Sequence, residues 1–181
     1  MTHPLTSTSA IFRILLDALA PVAGKHGARL SVSTDRAAAL SALYDSPAGC
    51  VAILVPGAQT VEDADGPLCV LRETVSLIVG HRLPPTAAPA EGLYAGVAGA
   101  APFLDTLDEL RAAFLAAPLP EGTGTGCWQF DSRTPVSIEG VPLPAYELQF
   151  HAILAGEHAA IDPDPFAPPP FQDDLPPPPL P

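Results

Sequence analysis

Residues 68–82 read LCVLRETVSLIVGHR, and their alternation decides how the chain must fold. Val75, Leu77 and Val79 fall on one side of an extended chain, and Thr74 and Ser76 fall on the other. Successive side chains of a strand point to opposite faces, so this pattern predicts a long strand with an apolar face and a polar one. Upstream, residues 50–55 read CVAILV, a continuous apolar run of strand length between Gly49 and Pro56. Such a run predicts a central strand buried on both faces. Two strands of this kind need apolar surface to pack against, and the chain supplies it in two helical stripes.

The first stripe lies in residues 8–23, where Ile11, Ile14, Leu15, Ala18, Leu19 and Val22 recur at helical spacing. Ser7 or Ser9 can cap its start, Pro21 is expected to kink or shorten its last turn, and Gly24 can close it. The second spans 103–117, with Phe103, Leu107, Leu110 and Phe114 inward, Leu104 a further candidate, and Pro118 and Pro120 stopping it. Between the two, a short strand fits 29–33 and Asp35 can cap a short helix over 36–44. The acidic stretch VEDADGP, residues 61–67, reads as a turn, and 83–101 as a loop rich in proline, alanine and glycine. Downstream, short strands fit 127–131 and 133–138, Glu139-Gly140 makes a turn, and 145–154 forms the last strand. There Tyr146, Leu148, Phe150, Ala152 and Leu154 share a face. The expected architecture is α+β: a mostly antiparallel sheet with two long helices packed on one face, residues 1–155 forming one domain.

The remaining residues, 156–181, read GEHAAIDPDPFAPPPFQDDLPPPPLP, with ten prolines, five acids and no lysine or arginine. Proline lacks the amide proton and fixes φ, so this arm is expected to run extended, in polyproline II fashion. It also carries Phe166, Phe171, Leu175 and Leu180, apolar groups that a spacer does not need. They are the candidate docking residues, and Phe166 and Phe171 are expected to lie against another chain or against the outer face of the assembly the chain belongs to.

Charged residues make up 15% of the chain, against about 25% in ordinary soluble domains. The formal charge is −12, of which 15 acids against 8 bases leave −7 on residues 1–155 and the arm adds −5. No basic footprint exists for gripping nucleic acid, and an anionic membrane surface is disfavoured for the same reason. No stretch approaches the ~20 apolar residues of a membrane-spanning helix, and no signal peptide is visible at the N-terminus. Cys50, Cys69 and Cys127 are isolated and set among apolar residues, which predicts buried free thiols in a reducing cytoplasm.

Motifs for chemistry are thin. Gly122, Gly124 and Gly126 follow a helix and open a strand, the reverse of a phosphate loop, and read as a turn. Cys127, His151 and Asp131 are the one conceivable catalytic grouping, with Cys127 expected as a core thiol beside Trp128 and His151 on the polar face of its strand. Glu157 and His158 with Asp162 and Asp164 are the one candidate metal cluster, but they sit on an arm that cannot preorganise a site. Asp105, Asp108 and Glu109 open the second long helix, where its dipole favours acids. No catalytic, cofactor-binding or metal-ligating residue is assigned, and no cofactor is expected.

The order of elements, together with WQFDSRTPVSIEGVPLPAYELQFHAIL at 128–154, resembles the tail-terminator and head–tail completion proteins of long-tailed bacteriophages, the lambda minor tail protein U group. Members tend to have an N-terminal helix, a β-hairpin with long strands, a second helix and a closing strand pair. The resemblance covers about residues 8–155. It implies a structural virion protein of the tail or neck, assembled in the host bacterial cytoplasm, with no enzymatic residues. It also implies a homo-oligomeric ring, commonly hexameric, that caps the tail tube, meets the head connector and lets DNA pass through its channel without specific binding. The proline-rich arm is not a feature of that group. In such a ring the strands 68–82 and 145–154 are candidate joints between subunits. The alternatives are a non-enzymatic interaction module whose proline-rich arm docks on a partner, and a small Cys/His enzyme.

Overall fold

The computed structural model describes residues 8–46, 49–63, 68–82, 93–94, 102–121, 123, 126–137 and 144–157. The elements run α1 Thr8–Lys25, β1 Arg29–Val32, α2 Arg36–Tyr44, β2 Gly49–Asp63, β3 Leu68–Arg82, α3 Phe103–Ala116, β4 Gln129–Pro135 and β5 Ala145–Glu157. The five strands form one sheet in the order β1-β2-β3-β5-β4. β1 pairs parallel with β2 across α2, and every other pairing is antiparallel. The expected α+β class with a mostly antiparallel sheet is the observed one. Ser7, the loop at 83–101 apart from Leu93 and Tyr94, the turn at 139–140 and the arm beyond Glu157 fall outside the described residues.

Parity along β3 divides the core in two. On the first face Leu71, Val75, Leu77 and Val79 meet Ala52 and Leu54 of β2 and Leu148, Phe150, Ala152 and Leu154 of β5. Over them lie both long helices, α1 through Ile11, Phe12, Leu15 and Leu19, and α3 through Phe103, Leu107, Leu110 and Phe114. Phe114 stacks flat on Phe150 with ring centroids 3.8 Å apart, while Trp128 meets Phe114 edge-on at 5.1 Å. Removing a buried phenylalanine to alanine costs about 3–5 kcal/mol, so this ring stack alone fixes α3 to the sheet. On the second face Ala39 and Leu43 of α2 cover Val51, Ile53 and Val55 of β2 together with Ile78, Val136 and Ala145. CVAILV is thus buried on both sides, as its unbroken apolarity requires.

Several boundaries differ from the sequence reading. α1 runs a full turn past Pro21, whose ring lies on the exposed side. It closes at Gly27 rather than Gly24: Gly27 takes φ +60°, its N–H donates to Gly24 O, and Ala28 N–H donates to Ala23 O. That pair of bonds is the Schellman closure, which favours glycine at the left-handed position. Phe12 and Ala23 join the buried stripe of α1, while Ile14, Ala18 and Val22 are half-buried. β2 continues through Pro56 and takes in Val61–Asp63, where a turn was expected, with register shifts between Pro56 and Gln59 and between Val61 and Asp63. A single strand β4 replaces the two short ones expected between 127 and 138. Strand β3 is paired on both edges along its length, whereas β5 is covered by β4 only over Tyr146–His151. The outermost strands are β1 and β4, and β1 pairs with β2 only over Val51–Leu54.

Candidate functional site

α2 covers only part of the second sheet face. Beyond it β3 and β5 present their polar residues, and these converge on a cleft of about 210 Å³ lined by Gly57, Ala58, Thr74, Ser76, Asp131 and Gln149. The register explains the convergence, since Thr74 lies opposite His151 and Ser76 opposite Gln149 across β3 and β5, while Gln129 lies opposite His151 across β4 and β5. A shift in register between Phe130 and Ser132 turns Asp131 toward His151. His151 Nδ1 is 2.7 Å from Asp131 Oδ1, and Arg72 Nη2 approaches the same carboxylate oxygen at 3.8 Å. At the α2 side of the cleft Glu147, almost fully buried, accepts from Arg36 Nε at 2.8 Å and from Ser76 Oγ at 3.0 Å.

A carboxylate-oriented histidine becomes a general base only when a nucleophile can hand it a proton. Here Ser76 donates to Glu147, Thr74 donates to the carbonyl of Ala58 at 2.5 Å, and Ser132 donates to Gln149 Oε1 at 3.2 Å. The three nearby hydroxyls are therefore committed elsewhere, and the cluster acts as a set of cross-strand and helix–sheet ties. His151 does sit on the polar face of its strand. Cys127 departs from expectation: it precedes β4 and is exposed, although Trp128 beside it is buried. An isolated residue at a strand entrance follows the chain's path there, which local apolarity does not encode. Cys50 is buried as expected, and burial pushes its thiol up to about 11, so it stays protonated at neutral pH. The side chain of Cys69 lies outside the described residues.

The acids of α3 serve individual partners rather than a common site. Glu109 bridges to α1, accepting from Lys25 Nζ at 2.7 Å and lying 2.9 Å from His26 Nε2, whose ring also meets Thr106 Oγ1. Hydrogen bonds from Lys25 and then His26 hold the Glu109 carboxyl below the usual carboxylate range. Asp108 lies 3.4 Å from Arg111 and 3.8 Å from Arg133. The helix dipole therefore accounts for Asp105 in the first turn, while Asp108 and Glu109 have side-chain partners.

Sequence reasoning passed over Glu73, Glu147 and Arg36. Parity could have found the first two: Glu73 shares the helix-bearing face with Val75, and Glu147 lies one residue before Leu148 on the opposite face. Glu73 is only 2% exposed, and Gln59 Nε2 donates to it at 2.9 Å. Beside it, across Ala152, stands Trp128, whose buried indole N–H has no hydrogen-bond partner among the described residues.

Among the described residues no group of three or more metal-ligating side chains occurs, and no helix is long and apolar enough to cross a membrane. The cluster at 157–164 falls outside the described side chains, as do the docking candidates Phe166, Phe171, Leu175 and Leu180, and Gly122 and Gly124.

No protein-family model matches the chain, and no curated protein does. Among solved structures, a histidine kinase from Burkholderia phymatum is similar at 18% identity over 86% of this chain and 72% of its own, with a TM-score of 0.31. A superposition that loose supports no inference about fold or activity.

Proposed function

We propose that the chain is a ring-forming structural protein of a phage-type tail, a tail terminator or head–tail joining component. The observation that carries this reading is the order of elements. A long N-terminal helix is followed, after the short β1 and α2, by a hairpin of two 15-residue strands, a second long helix and a closing strand pair. The outer half of that hairpin supports it: residues 57–62 are exposed throughout, so β2 reaches beyond the helices that cover its first half. A strand that outruns its own core offers surface to a neighbour. The open edges of β1 and β4 lie at opposite sides of the sheet, which suits a heterologous contact repeated around a closed ring. Tail-tube and head-connector proteins are the partners of such a ring, and an acidic wall lets DNA pass without holding it.

Size-exclusion chromatography with light scattering tests the reading. Six copies of an 18.6 kDa chain give about 112 kDa, with rings visible by negative-stain microscopy. A strictly monomeric protein at high concentration, with no rings in particles, overturns it.

A further inference from the structure

Where the N-terminal half of α1 crosses the end of β1, an apolar groove of about 430 Å³ opens, floored by Val32 and Pro56 and walled by Phe12, Arg13 and Leu16. Val32 is 47% exposed there. Further along the same sheet face lies Val61, 60% exposed and opposite the buried Leu71. Two bare valines on the helix-bearing face of one sheet thus mark a strip that runs from the hairpin's outer half into the groove.

Charge says what kind of chain fits this strip. Of eight basic residues, Lys25, Arg36, Arg72, Arg111 and Arg133 are tied to carboxylates and Arg82 donates to Ser46 O. Among the described residues only Arg13 and Arg29 have neither a carboxylate nor a carbonyl partner. Arg13 stands at the mouth of the groove, whereas Arg29, opposite Val51, belongs to the other face of the sheet. In a chain of formal charge −12, one of these two free cations therefore lies where the groove is. Its complement is a segment both apolar and acidic.

We propose that the groove is the dock for the chain's own C-terminal arm, residues 158–181, seated through Phe166 and Phe171 with its aspartates toward Arg13. The arm carries four acids, no lysine or arginine, and apolar residues four or five apart. It also starts within reach. Pro56 lies opposite Val75, and Val75 opposite Phe150, seven residues before Glu157. Seven strand residues and two inter-strand spacings put the end of β5 about 25 Å from Pro56. Nine residues of polyproline II, from Glu157 to Phe166, span about 28 Å. Phe166 thus arrives at the groove without slack, and Phe171 lies beyond it along the floor. Fixed φ angles lower the entropy lost on docking.

This inference stands independently of the ring. The test uses the full chain with a benzophenone-bearing side chain at position 32, Val32→p-benzoylphenylalanine, irradiated at low protein concentration and mapped by mass spectrometry. The expected product is an intramolecular cross-link to a peptide within 158–181, with a several-fold lower yield when Arg13→Glu is added. Arg13 is exposed, so that second change leaves the fold intact, which circular dichroism checks. Cross-links to residues 1–7 or 83–101, to another copy, to a foreign protein, or no cross-link at all, overturn the proposal. A cross-link to another copy's arm would leave the ring reading standing, and an intramolecular one in a monomer would remove only the ring.

Discussion

Among single residues, Glu73 sets the clearest dependence on pH. It occupies a position on β3 where its neighbours on the same face, Leu71 and Val75, are buried apolar groups. Burial pushes its pKa above the ordinary carboxylate value, and the bond from Gln59 offsets this only in part. Between the unfolded value and the raised native one, the native state therefore holds a proton that the unfolded state has released. Stability falls as pH rises from the unfolded pKa of about 4.3 through the raised native one, and stays low above it. Glu73→Gln keeps a carbonyl acceptor for the Gln59 amide and abolishes the buried charge. Thermal unfolding at a series of pH values should show this variant melting above the parent at pH near 8, with the gap closing at pH near 4. Equal melting temperatures at both ends would show that the carboxylate is solvated. The neighbouring Trp128 N–H, buried without a partner, weighs about 1–3 kcal/mol against the same corner of the core.

Between elements, the narrowest fit is that of α2 on the sheet. A Cβ added at Gly80 of β3 would stand 2.5 Å from Leu43 Cδ1 and 2.9 Å from its Cδ2. Glycine is thus what lets Leu43 drop onto the strand and seal the smaller core. Gly80→Ala should destabilise by about 1–3 kcal/mol in urea unfolding. Combined with Leu43→Ala, which vacates the space, the total should fall short of the sum of the single changes. Additive losses would mean that the helix does not bear on that strand. The same comparison shows what was legible in the sequence. Parity in 68–82 gave β3 at its observed bounds, and Asp35, whose side chain accepts from Ala38 N–H, gave α2 at its own. Pro21 and Pro56 misled because they are local stop signals that tertiary pairing overrides. Pro21 faces solvent, and Pro56 and Gly57 sit where β2 shifts register. Gly57 is required there, since a Cβ would stand 2.8 Å from the Thr74 carbonyl oxygen. Strand order is non-local, so nothing in the residues of β3 or β5 marked them as interior. For the same reason the Asp131–His151 pair could be guessed at, but not the commitment of the hydroxyls around it.

For the whole molecule the governing quantity is charge. Each copy carries a formal −12, and six of its eight bases are already engaged within the chain. Few cations remain to form ion pairs between subunits, so a ring of these chains must be held by apolar surface and backbone pairing against mutual repulsion. Screening weakens the repulsion and leaves apolar contacts in place. Raising salt from about 0.01 M to about 1 M shortens the Debye length from about 30 Å to about 3 Å. At fixed protein concentration the oligomeric fraction seen by light scattering should therefore grow with salt. Neutralising part of the repulsion by deleting residues 158–181, which removes four acids, should move the same transition to lower salt. An oligomer that instead falls apart as salt is added would be joined by ion pairs. Its cations would then have to be Arg13 and Arg29, placing the joint on the β1 edge and in competition with the arm.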